Sequence, residues 1–232
     1  MTSNPGAEPL ILSVETATLA GSVSLASGER IVAGFAGDAS VSHSNTLLSD
    51  IDKVLGDARV ELSEVELFAV ASGPGSFTGL RIGIATVKGL AATLNCPCVG
   101  IPTLHAVAHS AGASEKTVAL LPAGRGEVFA QLFSVTNEGV VTALDEASHI
   151  APQRLFEKYG SLKDVLWCGE GAIVHKALVE ERPGWRIAAP TVNLAEHVST
   201  LALQRFRNQQ LEHPDALQAI YVRPSDAELK VQ

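Results

Sequence analysis

The sequence predicts an α/β protein of two lobes, and three observations carry that expectation. Apolar runs of strand length are interspersed with stretches whose apolar residues recur at helical spacing. The chain opens with three strand-like runs, changes to strand–helix alternation, and partly repeats the pattern beyond Pro102. Its 232 residues, at roughly 150 per domain, suffice for one large domain or two small ones with a buried core.

Residues 10–16, 21–26 and 31–35 are short apolar or alternating runs separated by turn-forming segments, which reads as an antiparallel meander. Ser42 or Ser44 can cap a helix over about 44–57, with Leu47, Leu48, Ile51, Val54 and Leu55 on one face. Ser63 followed by Glu66 has the spacing of a capping box for one short turn, and 67–72 (LFAVAS) is the continuous apolar run of a strand buried on both faces. Residues 72–83 (SGPGSFTGLRIG) form a glycine-rich loop leading into a helix that runs to about Leu94, capped by Asn95 and stopped by Pro97. A strand over 98–101 completes the order β-β-β-α-β-α-β, which by analogy is that of an RNase H-like lobe. A helix near 104–111, strands at 117–121, 127–135 and 140–150, and alternating helix and strand to Ile187 follow. Residues 196–209 read as a last amphipathic helix. The expected organisation is a first lobe over 8–103, a smaller second lobe over 104–193, a helical segment 194–210 packing back onto the first, and an extended tail over 214–232.

Composition narrows the function. Hydrophobic residues at 46% and charged residues at 18% exclude disorder. Seventeen Lys+Arg against twenty-five Asp+Glu leave a net charge of −8, which repels a phosphate backbone, and eleven aromatic residues offer few stacking platforms; unaided nucleic-acid binding is not expected. No apolar run reaches membrane-span length, and the start (MTSNPGAEP) lacks a secretory pattern, so a cytoplasmic protein is expected. Three cysteines without a CxxC fit thiols in a reducing compartment.

Four groups of residues could carry chemistry. Gly73, Gly75 and Gly79 allow close approach of backbone N–H groups to a phosphate, but the Gly-Lys-Ser/Thr ending of a P-loop is missing; a tight strand-to-helix turn explains them equally. The following helix holds Gly79, Gly83 and Gly89, each costing about 1 kcal/mol relative to Ala, so its small strips serve close packing, within the chain or against another. His105 and His109, four apart on a helix, have the spacing of two metal ligands, yet Ala106 stands where a metalloprotease has its Glu and no third ligand is identifiable; no metal site is assigned. Glu15 with Thr16 and Thr18 closes the first strand, where phosphotransferases of the actin and sugar-kinase type place an acidic residue, or where a plain turn stands.

Taken together, LILSVETAT, HSNTLL, ASGPGSFTGLRIGIATVKGLA, RGEV and YVRPSDAELK, in order across nearly the whole chain, resemble the bacterial tRNA threonylcarbamoyladenosine biosynthesis protein TsaB (YeaZ) family. The resemblance implies an actin-like ATPase (RNase H-like) fold of two lobes, the second shortened. It also implies a non-catalytic partner of a larger metal-holding paralogue, TsaD, joined by an ATPase, TsaE, with tRNA met only through the complex. The chain alone is expected to bind no cofactor, ATP being used by the complex, and to form a homodimer. By resemblance its partner surface comprises Leu47, Leu48, Ile51, Val54, Leu55, Gly79, Arg81, Ile82, Gly83, Thr86 and Leu90, while Glu15, Thr16, Gly73 and Gly75 mark a residual nucleotide site. Glu15 stands where the family usually has Asp, and Pro122-Ala123-Gly124 where it has Asp-Ala-Arg; both departures count against that nucleotide role. An ATP-dependent phosphotransferase and a metallohydrolase are the competing expectations.

Overall fold

The computed structural model describes residues 8–37 and 43–222. The meander forms as β1 (Leu10–Glu15), β2 (Ser22–Ser27) and β3 (Arg30–Ala36), antiparallel throughout and in a register that sets Val14 opposite Val23 and Ser13 opposite Ser24. α1 (His43–Ala58) follows; the proposed caps fall outside what is described, Ser42 entirely and Ser44 in its side chain. The short turn is a 3-10 helix at Leu62–Glu64 whose capping box is Glu61 with Glu64, because Glu64 reaches back to the Glu61 N–H; Ser63 and Glu66 do not form it. Glu66 instead accepts from the Leu10 N–H, tying the starts of two strands.

β4 (Leu67–Gly73) is buried along its whole length, as a continuous apolar run requires. α2 (Phe77–Leu94) begins inside the predicted glycine-rich loop and holds Gly79, Gly83 and Gly89, as expected of that helix. β5 (Cys98–Pro102) leads into α3 (Thr103–Ser110). The longest hairpin, β6 (Ser114–Gly124) and β7 (Glu127–Val135), closes through Arg125-Gly126, both at positive φ.

The strand expected over 140–150 is two strands, β8 (Val141–Ala143) and β9 (Ser148–Ile150), both paired to β7. Asp145 makes the break: its carboxylate accepts from the Leu132 N–H at 2.8 Å, the Tyr159 hydroxyl at 2.6 Å and Lys158 Nζ at 2.7 Å, leaving no continuous ladder. Then come α4 (Pro152–Lys158), β10 (Leu166–Cys168), α5 (Glu170–Val174), α6 (Lys176–Glu180), β11 (Arg186–Ile187) and α7 (Leu194–Arg207). The tail expected to be extended from 214 starts as a 3-10 turn at Pro214–Ala216 and buries Leu217 in the core; residues 223–232 lie outside the described residues.

Among the described residues the chain divides into two compact units, one of residues up to 72, 78–101 and 193–219, the other of 73–77, 102–192 and those from 220 on. In the first, the sheet order is β3-β2-β1-β4-β5, with β4 parallel to β1. One face of it carries Leu12, Val14, Val23, Leu25, Phe68 and Val70 into a core shared with α1 and α2. Ser13 and Ser24 belong to the opposite face, where α7 docks: Ser199 Oγ meets Ser13 Oγ at 2.7 Å and Ser22 Oγ accepts from the Ala195 N–H at 3.0 Å. Residues 211–217 return along the β5 edge, where Cys98 and Glu212 exchange both backbone hydrogen bonds and Lys88 Nζ donates to the Asp215 and Leu217 carbonyls.

The second unit has the sheet order β11-β10-β6-β7-β8. Its core is aromatic: Trp167 stacks on Phe156 at 4.8 Å and meets Trp185 at 4.7 Å. Gly169, at φ 88°, opens α5 so close to β6 that a Cβ there would stand 2.2 Å from the Leu120 carbonyl oxygen, so only glycine fits.

Gly83 has the equivalent role in the first unit, since a Cβ there would stand 2.3 Å from Thr16 Oγ1 and 3.5 Å from Val70 Cγ2. Gly83→Ala is expected to cost about 1–3 kcal/mol by forcing Thr16 off its hydrogen bond. Urea unfolding checks it; Thr16→Ala should absorb much of the loss in the double variant, and simple additivity would refute the contact.

Candidate functional site

α1 and α2 are the elements on which a partner surface is expected, and burial divides their residues sharply. Leu47, Ile51, Val54 and Leu55 are 6%, 2%, 1% and 6% exposed and face the unit's own core with Phe68, Ile84 and Val87. This corrects the expected surface on α1: the apolar stripe is needed to cover the sheet, and Leu48, 61% exposed, is the leucine a partner can reach. On α2, Gly79 and Gly83 are buried as well, and the smallness of Gly83 answers to internal packing, since a Cβ there would meet Thr16. Ile82, Thr86 and Leu90 are half-buried, and Arg81, Ala85, Gly89 and Ala92 are exposed at helical spacing. Gly89 differs from Gly83 in kind, because a Cβ there meets nothing within 4 Å. An interior helical glycine that nothing within the chain requires leaves its cost of about 1 kcal/mol unexplained by the monomer.

Glu15 and Thr16 stand at the end of β1, 1% exposed each. Glu15 Oε1 accepts from the Thr18 N–H at 2.7 Å and Oε2 from the Thr18 hydroxyl at 2.8 Å, so the carboxylate closes the β1–β2 turn. Thr16 Oγ1 donates to the Gly79 carbonyl at 2.7 Å. A pocket lined by these residues with Ser22, Phe35, Leu47 and Asp50 encloses about 10 Å³, room for a single water molecule. Gly73 and Gly75 belong to the second unit; the Gly73 N–H donates to Thr103 Oγ1 at 3.0 Å, in a buried contact that anchors the loop to the start of α3.

His105 and His109 share a face of α3, where His105 lies edge-on to the Phe133 ring at 4.8 Å and burial lowers the pKa of His109 below its ordinary 6.5. Among the described residues no three His, Cys, Asp or Glu side chains are grouped to hold a metal ion. Cys96, Cys98 and Cys168 are free and buried; desolvation pushes the Cys96 and Cys98 thiols up to about 11 and raises that of Cys168 further, which keeps all three protonated and unreactive at neutral pH. One surface feature escaped the sequence reading. Phe77 and Tyr221, both of the second unit, are in contact and exposed, although each lies in a motif already quoted, SGPGSFTGLRIG and YVRPSDAELK. No helix among the described residues is long and apolar enough to cross a membrane.

Comparison with known proteins bears on this arrangement. The profile of the family described as "TsaD: tRNA N6-adenosine threonylcarbamoyltransferase" matches residues 36–214. The tRNA threonylcarbamoyladenosine biosynthesis protein TsaB of Escherichia coli is 29% identical over 155 residues, 66% of this chain and 67% of the relative. TsaB of Bacillus subtilis is 24% identical over 223 residues, 95% of this chain and 96% of the relative. Among solved structures, YeaZ from Pseudomonas aeruginosa superposes with a TM-score of 0.78 at 26% identity, covering 92% of this chain and 99% of that one.

Half-buried His109 gives a pH test. Burial lowers its pKa in the fold below the 6.5 of the unfolded chain, so around and below that value the unfolded state binds more protons and stability falls with acid. The urea midpoint should drop between about pH 7.5 and about pH 5.5, and drop less in His109→Gln; equal drops would refute the assignment.

Proposed function

The chain belongs to the family described as TsaD: tRNA N6-adenosine threonylcarbamoyltransferase, in its TsaB/YeaZ branch, and from that membership we propose that it is a non-catalytic partner that binds and activates a TsaD-like paralogue. It serves tRNA threonylcarbamoyladenosine biosynthesis, as its relatives' names state of them. The observation that carries the partner role is the exposed face of α1 and α2: Leu48 stands out at 61% exposure, and Gly89 keeps a helix backbone bare where its own chain gives no reason to. A facing helix can approach such a backbone closely, and the leucine gains burial it lacks in the monomer. The partner surface is accordingly Leu48 with Arg81, Ala85, Gly89 and Ala92, flanked by Ile82, Thr86 and Leu90.

The absence of a catalytic role is supported by where the reactive groups are engaged. The Glu15 carboxylate and Thr16 hydroxyl that a phosphotransferase would use hold the β1–β2 turn and α2 instead. In this reading the chain alone binds no cofactor and forms a homodimer through the same face. In the complex a TsaE-like ATPase uses ATP, and tRNA is met only through the assembly.

Light scattering tests the proposal on the purified chain, alone and mixed with the TsaD-like paralogue of the same cell. A one-to-one heterodimer replacing a homodimer is expected, and an unchanged mass on mixing would refute it. Leu48→Asp should weaken the heterodimer by more than about tenfold with the circular dichroism of the fold retained, since it places an unpaired carboxylate in an apolar contact. Ile51→Asp, by contrast, should unfold the first unit, because Ile51 is 2% exposed.

A further inference from the structure

After α7 the chain runs back along the first unit as a strap over residues 211–217, and few groups hold it. Glu212 exchanges both backbone hydrogen bonds with Cys98, at 3.1 and 2.8 Å, and its carboxylate accepts from the Gly100 N–H at 3.3 Å, so one residue serves two positions on the β5 edge. Leu217, 2% exposed, fills the space that Gly100 leaves, where a Cβ would stand 3.1 Å from Leu217 Cδ1. Between these anchors His213, Asp215 and Ala216 are exposed. A segment with so little buried surface belongs to the part of a fold that opens locally, without the rest.

The third anchor comes from α2. Lys88 Nζ donates to the Asp215 and Leu217 carbonyls, at 3.3 Å each. On the helix Lys88 is three residues from Ala85 and four from Ala92, hence a surface neighbour of both, and it directly precedes Gly89. Ala85, Gly89 and Ala92 are the exposed small residues of the proposed partner face, and a lysine stem is long enough to lie over them. The strap carbonyls draw the ammonium to one side and leave that row open.

We infer that the strap regulates the α2 face: docked, it holds Lys88 away from Ala85, Gly89 and Ala92, and released, it frees Lys88 to lie across them. The inference rests on the proposed partner role and adds to it a control element within the same chain. A helix seated close to Gly89 leaves no room for a mobile lysine and so favours the docked strap. By reciprocity the docked strap favours the partner by the same factor.

The test follows hydrogen exchange of the Glu212 and Leu217 amides by NMR on the full chain, with light scattering for complex mass and circular dichroism for the fold. In the isolated chain, Lys88→Ala should speed exchange of both amides severalfold by removing the third anchor. Adding the TsaD-like paralogue to the wild-type chain should slow that exchange by about fivefold or more. Glu212→Ala loosens the strap at a half-buried position outside the core and should weaken paralogue binding by about fivefold, whereas in the Lys88→Ala background, with no lysine left to obstruct, it should not. Strap exchange unaltered by Lys88→Ala or by the paralogue overturns the inference. An equal loss of affinity from Glu212→Ala with and without Lys88 also overturns it, by making the strap a direct contact. If the wild-type chain forms no complex, the scattering arm removes the partner proposal and the coupling with it, whereas a complex with unaltered strap exchange overturns the coupling alone.

Discussion

The hydrogen bond from Thr16 Oγ1 to the Gly79 carbonyl decides how near α2 lies to the first sheet. Helix and strand end meet closely there, because Gly83, one turn on, leaves the space that the Thr16 side chain fills. Thr16 is itself fixed by the turn that Glu15 closes through both carboxylate oxygens. Three residue types therefore act as one device: an acidic residue to set the turn, a hydroxyl to reach the helix, and a glycine to admit it. Ile84, Val87 and Ala91 then enter the core beside Leu12, Val14 and Val70, and α1 closes it from the same side with Leu47, Ile51, Val54 and Leu55.

The other face of that sheet is held differently. Ser13, Ser22 and Ser24 stand under α7 in place of large apolar residues, and the buried hydroxyls of Ser13 and Ser22 fix the helix by direction rather than by volume. Small side chains also let α7 bring Ala195, Val198 and Ala202 down onto the strands. The second unit relies on volume, with Phe156 stacked on Trp167 and Trp185 tilted against it, and on one carboxylate, Asp145, which gathers a backbone N–H, a hydroxyl and an ammonium and thereby ends a strand.

This division of labour bears on function. Among the described residues the groups best suited to phosphoryl chemistry hold helices and turns, the thiols are buried and protonated, and α1 and α2 expose leucine, alanine and glycine. The same glycine residue type has opposite meanings on one helix: Gly83 is demanded from within the chain, and Gly89 is not.

Periodicity alone located the meander, the buried strand β4, α1 and the end of α2, because each of these is set by local alternation or by a stop signal such as Asn95 and Pro97. The quoted motifs, read as a family resemblance, led to the same family that the profile and the relatives identify. What a linear pattern leaves open is which side of an amphipathic helix has a partner already. Leu47 and Leu48 are adjacent and chemically identical, yet one is covered and the other bare, and only the position of the sheet decides between them. Asp145 interrupts a strand through groups far from it in sequence, Glu64 rather than Glu66 completes a cap, and Phe77 finds Tyr221 across most of the chain. The sequence by itself determined the element types, the polar and apolar faces and the family, since these follow from backbone propensity and side-chain chemistry. Only the tertiary structure decided which apolar residues stay exposed and which reactive groups are already engaged, because both depend on contacts between residues that the sequence keeps apart.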